Sequence, residues 1–282
     1  MSSELKHAGV VGDPIEHSMS PILHGAGSRY ASFDRYRVEK GQLRNFLDGI
    51  SGRWAGIAVT MPLKQEALGV CDVVDGLAKA VGSVNTVVFQ PTGSTSMRVG
   101  FNTDVAGIVR AVRECAGEKT NFSRVVILGS GATASSALAA AIELGADSLA
   151  VCARRLAGPG VFTAAHRLNL DVDAIPLAQS ATEIEAADLV ISTLPAHAAD
   201  PIAAELGKRE STLHNVVLDV AYDPYPSALL STAQPLGATI VPGWLMLLHQ
   251  AVDQVRLFTG ELADEKAMRE ALETQLSARG IV

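Results

Sequence analysis

Gly129-Ser130-Gly131-Ala132-Thr133-Ala134 follows the apolar run Val125-Val126-Ile127-Leu128 and opens a stretch of good helix formers. This G-x-G-x-x-A in a strand-loop-helix setting is what a dinucleotide site requires. Gly129 allows a tight turn. Gly131 lets backbone approach a pyrophosphate held at the helix N-terminus, and Ala134 lets helix and strand pack closely. The next apolar run ends Cys152-Ala153-Arg154-Arg155, and no acid occurs from 148 to 170. An NAD site places Asp or Glu there to hold the ribose 2′-hydroxyl. Two guanidiniums suit the 2′-phosphate of NADP instead.

Four other motifs carry polar groups at strand ends, where open α/β sheets bind ligands. They are His17-Ser18-Met19-Ser20-Pro21, Val59-Thr60-Met61-Pro62-Leu63-Lys64, Gly82-Ser83-Val84-Asn85-Thr86 and Gly100-Phe101-Asn102-Thr103-Asp104. Each has an ordinary structural use as well. Ser20 before Pro21 makes an N-cap, Asp104 an acid in a first helical turn, and Asn85 a turn residue. Lys64 differs. If Pro62 opens a helix, the ammonium faces the positive end of the dipole, at a cost of roughly 0.3–1 kcal/mol that Glu66 could offset. A residue in a locally poor place invites a functional reading.

These groups need elements to hold them. Strands are expected at 8–11, 57–60, 84–89, 124–128, 148–153, 189–192, 216–220 and 239–241. Helices are expected at 21–30, 105–115 and 132–144. The alternation predicts parallel sheets with helices on both faces. Domain boundaries fall near Val105 and Gly243, and helical periodicity returns over 244–258 and 265–276.

The 282 residues are 48% apolar and 19% charged, with a net charge of −7. That balance suits a folded chain and lacks the basic face of a nucleic-acid binder. Three widely spaced cysteines and the sequence from Met1 to Glu4 suggest reduced thiols in a cytoplasm and no signal peptide. The most apolar helix-like stretch, 134–146, is too short to cross a bilayer and contains Glu143. No metal site is expected: His17 and His24 lack a third ligand at suitable spacing, so loop and helix-surface roles are assigned to them. Trp54 and Trp244 are expected to be core or interface anchors, and an apolar edge of the N-terminal sheet could support a homodimer.

In order and spacing these motifs resemble the shikimate dehydrogenase family over nearly the whole chain. The matching segments are SxSP at 18–21, VTxPxK at 59–64, VGxVNT at 81–86, NTD at 102–104, the glycine loop at Gly129, and the tail 243–250. The resemblance implies an α/β enzyme with an N-terminal substrate domain, a Rossmann-like NADP domain and C-terminal helices that return to the substrate domain. The domains would be 1–105 with 245–282, and 106–244. It implies reversible NADPH-dependent reduction of 3-dehydroshikimate to shikimate. Lys64 would be the catalytic base and acid, with Asp104 as its partner. Substrate contacts would come from Ser18, Ser20, Thr60, Lys64, Asn85, Asp104, Tyr222 and Gln250. Cofactor contacts would come from Gly129, Ser130, Gly131, Ala132, Thr133, Arg154, Arg155, Val220 and Gly243. The chain departs from the family's common pattern at Ala58 (often Asn), at GSGAT (commonly GAGGA), at Ala153-Arg154-Arg155 (commonly NRT) and at Ile191-Ser192-Thr193 (often NAT). Quinate or an amino analogue of shikimate is the alternative substrate, and an NADP-sensing protein without turnover the alternative class.

Overall fold

A computed structural model describes residues 5–50, 53–93, 95–117, 121–158 and 160–280. Its elements begin with β1 (His7–Gly12), α1 (Ser20–Gly27), β2 (Ser32–Arg37), α2 (Leu43–Gly49), β3 (Trp54–Val59), β4 (Val73–Val74), α3 (Gly76–Val81), β5 (Thr86–Thr92) and β6 (Thr95–Phe101). They continue with α4 (Asp104–Ala116), β7 (Arg124–Leu128), α5 (Ala132–Glu143), β8 (Ser148–Ala153), α6 (Val161–Arg167), β9 (Asp173–Pro176), α7 (Ser180–Ala186) and β10 (Leu189–Ser192). The chain ends with α8 (Asp200–Leu206), β11 (Val216–Asp219), α9 (Ala228–Ala233), β12 (Thr239–Pro242), α10 (Gly243–Thr259) and α11 (Glu265–Ala278). Two compact units result, 1–103 with 250–277, and 104–249 with the residues from 278 on.

Among the described residues, the sheet of the first unit runs β2-β1-β3-β5-β6-β4. β1 is parallel to β2 and β3, whereas β5 is antiparallel to β3 and β6. The expectation of parallel sheets therefore holds only in part here. A hairpin that turns through Gly93, at φ +70°, reverses the chain between β5 and β6. β2 and β6 are too polar to announce themselves, as Ser-Phe-Asp-Arg-Tyr-Arg and Thr-Ser-Met-Arg begin them. The sheet has two edges: β2, which presents Asp34, Arg35 and Arg37, and the short β4, where Val73 is exposed. Charges of this kind discourage pairing with another strand at β2.

The core of this unit packs Val11, Leu43, Ile57, Leu63 and Val87. The C-terminal helices return to it. Phe258 of α10 lies on Gly56 of β3, in space that a Cβ at Gly56 would occupy. Met268 of α11 lies on Gly27, where a Cβ would come within 2.5 Å of its sulfur. Truncating a buried Phe of this kind costs about 3–5 kcal/mol.

The second unit holds a wholly parallel sheet, β12-β11-β10-β7-β8-β9. Helices cover such strands on both faces, which explains their unbroken apolar runs. Val126, Leu128, Val190 and Val217 are fully buried in this core. Numbered from β7, the strand order is the 3-2-1-4-5-6 of a dinucleotide fold, with its reversal between β7 and β10. α5 packs against α4 on one side and α6 on the other. No helix among the described residues is long and apolar enough to cross a membrane.

Candidate active site

In the first unit, backbone bonds gather the predicted motifs at the C-terminal ends of β1 and β3. Thr60 N–H donates to Val11 C=O at 2.9 Å, and Val59 N–H donates to Asn85 C=O at 2.7 Å. Val84 N–H donates to Lys64 C=O at 2.9 Å, so Thr60, Lys64 and Asn85 share one neighbourhood. The loop after β1 brings Ser18 and Ser20. A fork from Arg35 grips the Ser18 carbonyl, with Nε at 2.9 Å and Nη2 at 2.7 Å.

Asn85 is buried, and hydrogen bonds hold both ends of its amide. Its Nδ2 donates to Thr103 Oγ1 at 2.8 Å and to Gln250 Oε1 at 3.4 Å. Its Oδ1 accepts from Thr103 N–H and from the Thr86 hydroxyl, each at 2.8 Å. It is not a turn residue.

Three local expectations change. No helix begins at Pro62: turns run from Met61 to Gln65, and a short 3₁₀ segment, Glu66–Gly69, follows. The dipole penalty assigned to Lys64 therefore does not arise. The Glu66 carboxylate instead accepts from Gly41 N–H at 2.7 Å and Leu43 N–H at 3.0 Å, at the start of α2. Ser20 is the first residue of α1 and Met19 the N-cap, with no side-chain capping bond. The Ser18 hydroxyl accepts from Ser20 N–H at 3.3 Å. His24 lies inside the unit rather than on a helix surface. It is fully buried, stacked on Phe33 at 4.0 Å, and its Nε2 is 3.2 Å from Gln254 Oε1. Burial pushes its pKa down to about 3, so the ring is neutral.

The second unit carries the glycine loop and Asp104, which opens α4 and is buried. Tyr222 lies half-buried in the loop after β11. Gly129 sits between β7 and β10 at φ +110°. A Cβ there would come within 2.6 Å of Thr193 Oγ1, whose hydroxyl donates to Leu128 C=O at 2.9 Å. Gly131 is the N-cap of α5, at φ −82°, and a Cβ there would meet nothing within 4 Å. The first turn of α5 carries no acidic side chain and no side-chain cap, while Ser130, Ala132 and Thr133 are partly exposed beside it. Its amide groups therefore suit an anion. Ala134 is fully buried, as close helix–strand packing demands.

Arg154 and Arg155 are exposed directly after β8. Arg154 borders a cavity of about 470 Å³ walled by Leu177, Ala178, Ala181, Ala198 and Ile202. Glu205 and Arg209 also line it, and a largely apolar wall with guanidiniums beside it suits an aromatic base next to a phosphate. Sequence reasoning missed these wall residues; their signal is small apolar side chains just after β9 and β10 in a βαβ array. Gly243 is needed for close approach, because a Cβ would lie 2.5 Å from Asp219 C=O and 2.6 Å from the Val220 carbonyl. Val220 N–H donates to Ser192 C=O at 2.9 Å. Asp219, also missed, is buried beside them and accepts from the Ser227 hydroxyl at 2.7 Å. Burial raises its pKa. Among the described residues, no group of three His, Cys, Asp or Glu side chains could hold a metal ion.

Two family models match the chain, both chiefly within the first unit. Residues 10–87 match the shikimate dehydrogenase substrate binding domain, and residues 243–273 match the shikimate 5′-dehydrogenase C-terminal domain. The chain is 33% identical to shikimate dehydrogenase (NADP(+)) of Methanopyrus kandleri, over 96% of each chain. The crystal structure of Mycobacterium tuberculosis shikimate dehydrogenase superposes with a TM-score of 0.80 at 34% identity, covering 96% of this chain and 99% of that one. Quinate dehydrogenase from Corynebacterium glutamicum in complex with NAD gives 0.79 at 28% identity, with the same coverage. Similarity of this extent, carried through both units, shows that the chain belongs to the shikimate dehydrogenase family.

Proposed function

We propose that the chain is an NADP-dependent shikimate dehydrogenase that reduces the ring ketone of 3-dehydroshikimate to the shikimate hydroxyl, reversibly. The observation that carries this reading is the buried Asn85 amide held beside Thr60 and Lys64. A polyhydroxylated ring acid needs several fixed neutral partners, and leaving one unpaired costs about 1–3 kcal/mol. In this reading Ser18 and Ser20 receive the carboxylate, and Thr60, Asn85, Tyr222 and Gln250 receive the hydroxyls.

NADPH, when bound, supplies the hydride. The residues that would hold it are Gly129 to Thr133 at the pyrophosphate, Arg154 and Arg155 at the 2′-phosphate, and the backbone at Val220 and Gly243. The open side of Gly131 and the chamber beside Arg154 support that assignment. Lys64 stabilises the ketone oxygen as it gains charge and gives it a proton from Nζ. In the reverse direction, Lys64 takes the proton back from the hydroxyl. Asp104 orients the lysine and shares the hydroxyl. The substrate domain would be 1–105 with 245–282 and the NADP domain 106–244, an assignment supported by the division into compact units.

The test is to follow NADPH absorbance with purified protein, offering shikimate and quinate with each nicotinamide in turn. Reduction of NADP by shikimate is the expected result, and no turnover of either acid would remove the reading. A quinate dehydrogenase is the second reading, favoured by the likeness to the quinate enzyme. It would show the larger kcat/KM with quinate. A cytoplasmic setting belongs to the proposal, supported by Cys71, Cys115 and Cys152, which form no disulfide among the described residues. So does a homodimer, which light scattering would register as twice the chain mass.

A further inference from the structure

Gln254 joins a buried histidine to the Asn85 segment. Its Oε1 lies 3.2 Å from His24 Nε2, and its Nε2 donates to Asn85 C=O at 3.2 Å and to Thr86 Oγ1 at 3.0 Å. Both Gln254 and His24 are at least 99% buried. The carbonyl of Asn85 only accepts, so the nitrogen of the Gln254 amide must face it. Oε1 then faces the imidazole, and His24 Nε2 must carry the proton. Nδ1 is left to accept from the Tyr30 hydroxyl at 3.3 Å. Thr86, having accepted from Gln254, directs its own hydrogen to Asn85 Oδ1 at 2.8 Å. The Asn85 NH₂ group is thereby left for Thr103 Oγ1 and Gln250 Oε1. One donor direction satisfies every bond, from Tyr30 through His24, Gln254 and Thr86 to Asn85. Reversing the Gln254 amide would set two oxygens against each other in a buried site.

We infer that His24 and Gln254 are positioning residues that fix the donor and acceptor faces of Asn85 and Thr86 and so tune affinity for the ring acid. The link to affinity rests on the proposed function, whereas the proton direction rests on the hydrogen bonds alone. Neither residue needs to touch substrate.

Two-bond ¹H–¹⁵N correlation on the full chain should report His24 as the Nε2–H tautomer. Gln254→Met should raise KM for shikimate about tenfold, the weight of one lost hydrogen bond, with kcat and KM for NADP within about twofold. His24→Leu should behave like Gln254→Met. His24→Gln, which can return a donor to the Nε2 position, should restore KM. This second pair carries the test if Gln254→Met does not fold. An Nδ1–H ring in the native protein would overturn the inference, as would an unmoved KM in folded Gln254→Met and His24→Leu. Inactivity of the unmodified protein toward shikimate would strike the proposed function, and the ring tautomer would still decide the proton direction.

Discussion

Asn85 and Thr103 hold each other by two bonds of opposite sense: the amide NH₂ donates to the threonine hydroxyl, and the amide oxygen accepts from the threonine backbone N–H, each at 2.8 Å. The pair cannot be rotated without breaking both. Asp104 follows Thr103 directly and opens α4.

Asn85→Leu removes the clasp and strands the Thr103 N–H. Loss of about 1–3 kcal/mol is expected in urea unfolding, with a higher KM for shikimate. Thr103→Val, which keeps the backbone bond, should lose less.

Lys64→Gln keeps length and polarity but cannot give up a proton as an ammonium does. Steady-state kinetics should show kcat lower by about 10²–10⁴-fold with KM little changed. An active Lys64→Gln enzyme would dismiss the proposed proton transfer.

Gly129→Ala and Gly131→Ala separate folding from cofactor binding. The first places Cβ at φ +110° and against Thr193, so a melting scan should show loss of roughly 1–3 kcal/mol. The second is sterically free within the protein. It should lower stability by no more than about 1 kcal/mol, the N-cap preference for glycine over alanine, while weakening NADP in calorimetric titration.

Arg154→Asp converts the end of β8 to the type of residue an NAD site carries. Loss of one charge-assisted bond, about 1.5–3 kcal/mol, should raise KM for NADP roughly tenfold to a hundredfold. KM for NAD should fall or stay. Equal losses for both nicotinamides would place the 2′-phosphate elsewhere.

His24 also leaves a signature in acid. Its folded pKa, about 3, lies below the ordinary 6.5. Between those values the unfolded chain holds a proton that the folded protein lacks, so stability falls as pH is lowered. Above 6.5 the group adds no pH dependence. Going from pH 7 to 5, the unfolding free energy of the native protein relative to His24→Gln should drop by about 2 kcal/mol. Taking the difference cancels the titration of groups common to both.

The glycine loop was legible because its demands are local: Gly129 needs positive φ, and Ala134 needs a small side chain beneath a helix. The parallel second sheet was legible from its unbroken apolar runs. The mixed first sheet was not, because β2 and β6 contain Asp34, Arg35, Arg37 and Arg98 and lack clear alternation. His24 was misplaced because its partner Gln254 is 230 residues away. No pattern within the eight residues of α1 announces such a bond. Lys64 was drawn into a helix by Pro62, although the turn at Thr60–Leu63 ends before any helix begins. The roles of Lys64 and Asp104 came from resemblance, since an ammonium and a carboxylate 40 positions apart carry no spacing signal of their own.

The seat of Phe258 on Gly56 has a consequence for synthesis. The ribosome delivers β3 some two hundred residues before the helix that covers it. The nascent N-terminal sheet therefore leaves the exit tunnel with an open apolar groove. Almost all of the dinucleotide-type unit is translated while that groove waits. A chain stalled before α10 would display a nearly complete second unit beside an unfinished first one, and the groove at Gly56 would be the surface through which a chaperone or an aggregate captures it.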